Sequence, residues 1–259
     1  MPELPDVEYF KQYAQATSLH KTISEVDLAS ERLLESTSRQ SLLRTLHGTE
    51  LEEGSRHGKH LFLPLSSGKV LMLHFGMTGY LESYKHGGDP EYAQLALHFE
   101  DGYSLAYVCT RMLGKIAVAD SMETYIEEKG LGPDALSVTA GQLEEIVGGG
   151  RGAIKSTLMN QSRIAGLGNI YSDEVLFQCG IDPRRPCSKL SVHELRSMRK
   201  AIHSVTDAAV KAHALPDKMP KTFLIRYRSP GSRCPKCGGT VTKITLSGRS
   251  TYLCERCQQ

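Results

Sequence analysis

The chain contains no tryptophan, few aromatic residues and no long apolar segment. Aromatic residues make up 7% of its 259 positions. No apolar run approaches the ~20 residues that a membrane-spanning helix needs. The opening Met1–Asp6 is acidic and holds two prolines, so it does not supply the apolar core of a secretory signal. We therefore expect a soluble protein of the cytoplasm that is neither secreted nor bound to a membrane.

Charge is divided unevenly along the chain. Residues 1–150 hold 12 Lys and Arg against 22 Asp and Glu, whereas residues 151–259 hold 19 against 7. The net charge of +2 therefore conceals an acidic half and a basic half. A basic half suggests binding to a polyanion, although attraction between the halves is an alternative that charge alone does not exclude. The motifs described below lie largely in the basic half, which favours nucleic acid.

The first half of the chain predicts one helix followed by short strands. Residues Leu4–Thr17 carry apolar side chains at helical spacing. Two turn signals, Ser66–Lys69 and Glu100–Gly102, each stand between apolar runs and predict β-hairpins. The predicted strands are Thr22–Leu28, Leu61–Leu65, Val70–Phe75, Leu95–Phe99, Tyr103–Val108 and Lys115–Ala119. Many short strands with turns between them indicate a β-sandwich or a barrel.

The pattern changes near Gly130–Asp134, where two glycines and a proline interrupt it. We place a domain border after residue 134, within several residues. Beyond it, apolar spacing predicts helices, and Ser191 followed by Glu194 fits a capping box at the start of the longest one. The predicted helices are Thr139–Val147, which ends in Gly148–Gly150, then Ala153–Asn160, Asn169–Cys179 and Ser191–His213.

Four of the seven cysteines have the spacing of a zinc site. Two Cys-x-x-Cys pairs, separated by sixteen residues, can direct four thiolates at one ion; they are Cys234, Cys237, Cys254 and Cys257. With every position filled by sulfur, a Zn²⁺ ion here would be structural. Disulfides or a redox pair are the alternative, which a chain of the cell interior disfavours. We expect the remaining cysteines, Cys109, Cys179 and Cys187, to be ordinary thiols.

The segment between the cysteine pairs predicts a zinc ribbon. Val241–Leu246 and Ser250–Leu253 suggest two strands on either side of the turn Ser247-Gly248. Arg249 follows this turn directly, and a rigidly held arginine suits a phosphate or a base. Taken alone, Arg249 is more simply explained as a solvated hairpin residue.

The amino terminus offers a nucleophile. Pro2 becomes the terminal residue once Met1 is removed, and a terminal proline is a secondary amine that can attack an aldehydic sugar carbon near neutral pH. The product is an iminium ion. Glu3 beside it can donate and accept a proton. On these residues alone the prediction is weak, because most prolyl termini are only chain ends.

Five motifs together resemble the formamidopyrimidine-DNA glycosylase family, in the family's order and across the whole chain. They are Pro2–Glu8, His57–Leu61, His74–Gly79, Ile154–Glu174 and the cysteine ribbon with Gly248–Thr251. The resemblance implies an α+β multidomain fold: an N-terminal β-sandwich with a leading helix, a helix–two-turn–helix domain and a zinc ribbon. We assign these to residues 1–134, 135–225 and 226–259 respectively.

The resemblance also implies catalytic roles. Pro2 would attack C1′ of the damaged nucleotide, and Glu3 would protonate the sugar ring oxygen and assist elimination. Lys59 would contact the lesion's phosphate or sugar, although the sequence alone suggests an exposed turn lysine. Arg249 would bind a phosphate and aid the second elimination. The activity implied is that of a bifunctional glycosylase and abasic-site lyase, which removes oxidised purines by β,δ-elimination.

DNA-binding roles are implied for further residues. By resemblance, Met77 and Arg111 would fill the gap left by the extruded nucleotide. The family's His-Leu-Gly-Met motif points to His74. Lys155 and Asn169 would face the DNA backbone, with free N–H groups at a helix N-terminus nearby. A plain N-cap asparagine is the structural alternative for Asn169.

Several departures from the family leave the substrate open. Leu113 replaces a stacking Phe, Asp6 replaces Glu, and Asp217–Arg233 is shorter than the family's loop over oxidised purines. One alternative is an endonuclease VIII-like enzyme for oxidised pyrimidines; another is a non-catalytic protein that binds damaged DNA. The expected partner is double-stranded DNA with an oxidised base or abasic site, in a nucleoid-associated location. The resemblance suggests a monomer.

Overall fold

The computed structural model describes residues 1–148 and 150–259, so Gly149 of the predicted helix end lies outside the described residues. The chain forms two compact units. The first comprises Met1–Pro2 and Val7–Gly130, and the second comprises Glu3–Asp6 and Leu131–Gln259. The units thus change at Gly130, four residues before the predicted border, and the helices and the ribbon share one unit.

The first unit is a β-sandwich, as predicted. One sheet has the order β1-β6-β7-β5 and the other has the order β2-β3-β4-β8, all antiparallel. Leucines from both sheets, such as Leu73 and Leu97, form a common buried core. The strands are β1 Ile23–Leu28, β2 Ser55–His57, β3 His60–Pro64, β4 Val70–His74, β5 Tyr80–Lys85, β6 Ala93–Phe99, β7 Tyr103–Val108 and β8 Lys115–Ala119.

The first unit also contains α-helices, which stand before, between and after its strands in the chain. The leading helix α1 spans Leu4–Ser18, close to its predicted bounds. Two short helices were not predicted: α2 at Arg39–Leu46 and α3 at Met122–Lys129. Helix α3 begins after the N-cap Ser121, whose side chain accepts a backbone N–H, and ends at Gly130 in the left-handed conformation. The first unit therefore ends in the chain where helix α3 ends.

Helices dominate the second unit up to residue 211. They are α4 Ala140–Gly148, α5 Ile154–Met159, α6 Asn169–Cys179 and α7 Val192–Lys211. The predicted capping box is present, because the side chains of Ser191 and Glu194 each accept the other residue's backbone N–H. Leucine, isoleucine and methionine side chains of these helices form one buried core, including Leu158, Leu176, Met198 and Ile202.

The ribbon closes the second unit. Strand β9 at Thr242–Leu246 pairs antiparallel with β10 at Arg249–Leu253, with Arg249 opposite Leu246. Its small core contains Phe177 of α6 with Val241 and two cysteines. Among the described residues, no helix is both long and apolar enough to cross a membrane.

Candidate active site and nucleic-acid interface

The Glu3 carboxylate caps the N-terminus of α6. Its Oε2 accepts the backbone N–H groups of Gly168 at 2.7 Å and Tyr171 at 3.2 Å, and its Oε1 accepts that of Ile170 at 2.8 Å. The side chain is 1% exposed. These N–H groups are unpaired at any helix start, and the helix dipole favours an anion there. The prediction that they bind phosphate is therefore corrected, because Glu3 occupies them.

A glycine turn makes this capping possible. The backbone N–H of Leu4 donates to the carbonyl oxygen of Gly166 at 3.1 Å. Gly166 has φ +121°, and a Cβ there would lie 2.5 Å from Leu4 Cδ1. Only glycine fits this close approach. The turn before α6 therefore fixes the position of Glu3 through its chain neighbour Leu4.

Pro2 precedes Glu3 and is half-buried in the structure. A second carboxyl group, that of Asp6, lies one helical turn further along the chain. Its Oδ2 accepts the backbone N–H of Glu3 at 2.8 Å. This contact is one half of a capping box for α1. Burial outweighs the hydrogen bond and raises the pKa of Asp6 to about 6. Asp6 therefore changes its charge in the range where a catalytic carboxyl group usually works.

A buried ion pair joins α5 to α6. The Lys155 ammonium lies 2.7 Å from Asp173 Oδ1, and both side chains are 1% exposed or less. Burial lowers the pKa of Lys155 and raises that of Asp173, while their mutual attraction opposes both shifts. Asp173 Oδ2 accepts hydrogen bonds from Arg228 Nη1 at 2.7 Å and from the backbone N–H of Tyr252 at 3.1 Å. Asp173 thus neutralises two cations.

The same lysine holds Asn169 and the ribbon. Lys155 Nζ donates to Asn169 Oδ1 at 2.8 Å and to Thr251 Oγ1 at 2.7 Å. The Asn169 amide donates in turn to the carbonyl oxygen of Ser250 at 3.0 Å. The expectation that Lys155 faces the DNA backbone is therefore changed, because its ammonium is enclosed by protein groups. Asn169 is half-buried, and its DNA contact stays a prediction.

The four predicted cysteine ligands come together at the base of the ribbon. Sγ of Cys234 lies 3.8 Å from that of Cys257, Sγ of Cys237 lies 3.6 Å from that of Cys254, and all four sulfurs lie within 4.8 Å of one another. Tetrahedral zinc with Zn–S of about 2.3 Å separates its sulfurs by about 3.8 Å. Disulfides need about 2.05 Å, so they are excluded here. The prediction of one structural zinc site is confirmed.

Arg249 projects from the ribbon at the start of β10 and is exposed. The turn before it is tied to α5, since the Ser247 and Ser156 hydroxyl oxygens lie 2.8 Å apart. The strand after it is tied to α5 and α6 by the contacts of Ser250, Thr251 and Tyr252 described above. Both flanks of Arg249 are thus held by hydrogen bonds while its side chain stays accessible. Its role with DNA stays a prediction.

In the first unit, Lys59 lies in the β2–β3 turn beside two histidines. Lys59 itself is 9% exposed. His60 and His74 are cross-strand partners with ring centroids 4.9 Å apart. Burial, followed by the charges of Lys59 and Lys115, lowers the pKa of His74 to about 4. Burial, followed by the neighbouring His74, lowers the pKa of His60 to about 3. Both rings are therefore neutral at pH 7.

The hydrogen bonds of His74 indicate where its single proton lies. Nδ1 accepts the backbone N–H of Gly76 at 3.3 Å, so the proton belongs on Nε2. The ring is half-buried. A neutral imidazole with an Nε2–H group can donate one hydrogen bond to a phosphate oxygen without carrying charge. The DNA contact predicted for His74 is compatible with this arrangement and stays a prediction.

Two adjoining loops carry the predicted gap-filling side chains. The loops, residues 75–79 and 109–114, are linked by a hydrogen bond of 2.9 Å from Thr110 Oγ1 to Thr78 Oγ1. They approach closely, because a Cβ on Gly76 would lie 2.5 Å from a Leu113 backbone atom. The exposed side chains on these loops are Met77, 41% exposed, Leu113, 46% exposed, Thr110 and Arg111.

The sequence prediction missed two members of the second unit's polar network. Asp173 and Arg228 are distant in sequence from Lys155, so spacing does not connect them. One signal was available: the adjacent acids Asp173 and Glu174 stand inside a predicted helix, directly before the apolar run Val175–Phe177. Glu174 is also buried and accepts the backbone N–H groups of Leu224 and Ile225. Acidic residues on a buried helix face require partners, which predicts such contacts without naming them.

Comparisons with known proteins agree with this architecture. Family models match residues 1–116 as a formamidopyrimidine-DNA glycosylase N-terminal domain and residues 131–218 as its H2TH domain. A third model, a zinc finger found in FPG and IleRS, matches residues 231–259. These three domains, in this order, define the zinc-finger DNA glycosylases.

Individual relatives extend the match over the whole chain. The formamidopyrimidine-DNA glycosylase of Syntrophomonas wolfei is 32% identical over 271 residues, covering 100% of both chains. Two solved structures of Lactococcus lactis Fpg, one with DNA containing N7-benzyl-Fapy-dG and one with DNA containing an abasic site, each have a TM-score of 0.90 at 25% identity and full coverage of both chains. The protein belongs to the formamidopyrimidine-DNA glycosylase family.

Proposed function

We propose that the protein excises oxidised purines, such as 8-oxoguanine and formamidopyrimidine, from double-stranded DNA and nicks the strand at the resulting abasic site. One observation carries the proposal: the carboxylate next to Pro2 is buried and fixed in direction by three backbone N–H groups. A rigid, desolvated carboxyl group beside a terminal secondary amine is the arrangement that imine chemistry on a sugar needs. The relatives' names and ligands support the same assignment.

Base release begins with Pro2 as the nucleophile, once Met1 has been removed. The proline nitrogen forms a bond to C1′ of the damaged nucleotide, and the bond from C1′ to the base breaks, so the base leaves with the bonding electrons and takes up a proton. The Glu3 carboxylate then accepts the proton of the attacking proline nitrogen and donates it to the sugar ring oxygen. The ring opens, and the nitrogen–carbon bond becomes an iminium ion.

The iminium ion makes strand cleavage possible. It draws electrons from the sugar, so a proton leaves C2′ and the 3′ phosphate departs in β-elimination. A second loss of a proton releases the 5′ phosphate in δ-elimination, for which we assign Arg249 as the phosphate contact. Water finally hydrolyses the iminium ion and restores Pro2. Glu3 is placed to accept and return protons during these steps.

The DNA is held by residues with different tasks. We assign backbone contacts to Lys59, His74 and Asn169, and we assign the space left by the extruded nucleotide to Met77 and Arg111. Lys155 becomes a positioning residue, because it orients Asn169 and the strand that follows Arg249. The zinc ion supplies no chemistry to the reaction; it keeps the ribbon folded.

Borohydride trapping tests the mechanism. The mature protein is mixed with a duplex carrying one 8-oxoguanine opposite cytosine, and borohydride reduces any iminium ion to a stable protein–DNA adduct. Mass spectrometry of the digested adduct then locates the attachment. We expect it at Pro2. The matched control carries one extra glycine before Pro2, which turns the proline nitrogen into an unreactive amide, and it should give no adduct at Pro2.

Other duplexes decide between the remaining candidates. An adduct on thymine glycol DNA, without one on 8-oxoguanine DNA, would keep the mechanism and replace the substrate by that of an endonuclease VIII-like enzyme. Binding without any adduct, in protein shown to lack Met1, would indicate a non-catalytic damage-binding protein. We expect the enzyme to act as a monomer in the cytoplasm, associated with the nucleoid.

A further inference from the structure

The outer face of the sheet β1-β6-β7-β5 carries buried polar side chains. His98 and Ser104 are cross-strand partners on this face, opposite to the core, and they are 4% and 0% exposed. They are buried because the β5–β6 loop, residues 86–92, folds back over them: the His86 ring lies 4.8 Å from that of His98. A covered polar face away from the core needs an explanation.

The buried polar residues orient an exposed carboxylate. His98 Nδ1 lies 2.8 Å from Ser104 Oγ, and His98 Nε2 lies 3.1 Å from Asp27 Oδ2. The Asp27 side chain is 71% exposed, yet its direction is fixed by the ring behind it. An exposed surface aspartate normally samples several rotamers. Asp27 is therefore preset in one direction.

Asp27 lines a cavity of about 380 Å³ between the loop and the sheet. The walls are two carboxylates and two tyrosines over a small alanine floor: Asp27, Asp89, Tyr84, Tyr92 and Ala96. The Tyr84 hydroxyl group is buried, and the Asp89 carboxylate and the Ser104 hydroxyl are its hydrogen-bonding neighbours. Tyr92 is 53% exposed and stands at φ +64°, a costly conformation for a bulky residue. A bulky residue held in such a conformation is typical of binding sites.

The chemistry of these walls selects a planar cation. No lysine or arginine is among the residues that line the cavity, so neither the Asp27 nor the Asp89 carboxylate meets a lysine or arginine side chain there. Burial and the nearby Asp89 carboxylate raise the pKa of Tyr84 to about 12, which keeps its hydroxyl neutral. Aromatic faces attract cations, and a guanidinium offers five donors to carboxylates and hydroxyls while stacking on a ring.

We propose that this cavity, named here the Asp27 cavity, binds an arginine side chain presented by a partner protein. The guanidinium would donate to the two carboxylates and to the Tyr84 oxygen and would stack against Tyr92. A lysine ammonium fits less well, because it is a point charge with no planar face. Free arginine also fits less well, because its own carboxylate meets the two acidic walls. None of the residues assigned to DNA repair lies in this cavity.

Nuclear magnetic resonance on protein with ¹³C-labelled tyrosine tests the proposal. The probe is N-acetyl-arginine-N-methylamide, whose ends are uncharged like those of a residue within a chain. We expect saturable shifts of the Tyr84 and Tyr92 signals with a Kd on the order of 1 mM, a typical strength for one side chain without its flanking partner. The neutral citrulline derivative, the lysine derivative and free arginine should each bind at least tenfold more weakly.

Variants locate the site. Asp27→Asn and Asp89→Asn should each weaken binding of the arginine derivative about tenfold, whereas Glu100→Gln, an exposed acid in another turn, should leave it unchanged. Strand nicking should be unaffected in all three. Equal binding of citrulline or lysine would overturn the guanidinium assignment, tighter binding of free arginine would overturn the protein partner, and shifts insensitive to both aspartate variants would overturn the site.

Discussion

The two compact units hold the side chains of the proposed site in different ways. In the second unit, Glu3, Lys155 and Asp173 are almost completely buried, and each is held by protein groups. In the first unit, Met77 and Leu113 stay exposed on two loops. A buried side chain is held in one orientation, which suits proton transfer and the positioning of neighbouring groups. Exposed side chains can enter a deformed duplex, because part of their apolar surface is open to a ligand.

The largest expected effect is on the most tightly held carboxylate. Glu3→Gln removes the proton that the sugar ring oxygen needs, so base release should fall about 100-fold to 10,000-fold. Single-turnover excision from an 8-oxoguanine duplex measures it. Glu100→Gln, an exposed glutamate, is the control and should change nothing. Binding to abasic DNA should stay within a few-fold, and a loss of excision below tenfold would remove Glu3 from the chemistry.

The second effect concerns the buried charges around Asp173. Asp173→Asn leaves Lys155 and Arg228 without their counter-charge, so we expect about 3–5 kcal/mol of lost stability in urea denaturation. The control is Asp182→Asn, whose partner Arg184 is 48% exposed; it should cost less than about 1 kcal/mol. Equal losses in both variants would show that burial does not distinguish the two pairs.

The third effect is on the pH dependence of stability, which should have opposite directions for one carboxyl group in each unit. The pKa of Asp6 is raised from 3.8 to about 6, so the folded state holds its proton longer than the unfolded state. The contribution of Asp6 to stability is then complete below pH 4 and falls as the pH rises to 6, by at most about 3 kcal/mol. Asp6→Asn should abolish this fall, because the amide oxygen still accepts the Glu3 N–H group.

Glu35 of the first unit supplies the matched contrast. Although burial works in the other direction, Lys115, the Tyr125 hydroxyl and Lys129 lower its pKa to about 2. Its contribution is therefore complete above pH 4.5 and is lost as the pH falls toward 2. Glu35→Gln should remove the loss of stability that occurs as the pH falls from 4.5 toward 2. Asp6→Asn should remove the loss of stability that occurs as the pH rises from 4 to 6. Urea melts at several pH values measure both, and shifts in the same direction would contradict the opposite pKa changes.

Local patterns explain which parts of the fold the sequence predicted. The bounds of α6 and the capping box at Ser191 depend on spacing and on adjacent side chains, so they could be found without tertiary contacts. The zinc site depends on ligand spacing. Helix α3 was not predicted although Ser121 and Gly130 mark its ends, because its eight residues are too few to show a sustained apolar repeat.

The role of Lys155 could not be predicted, because a charge in a sequence normally indicates exposure. Its partners lie on α6 and in the ribbon, and Arg228, which shares Asp173 with it, follows much later in the chain; only the folded chain brings these groups together. The same holds for the N–H groups at the start of α6. Sequence indicated an anion site there, and it did not indicate that Glu3 is the anion.

The smallest expected effect tests whether exposure in the first unit serves DNA binding. Leu113→Phe places an aromatic face on the exposed loop, and stacking on an unpaired base should tighten binding by about 1 kcal/mol, or about fivefold. Fluorescence anisotropy with a duplex containing an abasic-site analogue measures this gain. Leu215→Phe is the control, since Leu215 of the second unit is 42% exposed, similar to the 46% of Leu113. If both variants bind more tightly to the same degree, the gain reflects added apolar surface, and the loop 109–114 does not enter the gap in the DNA.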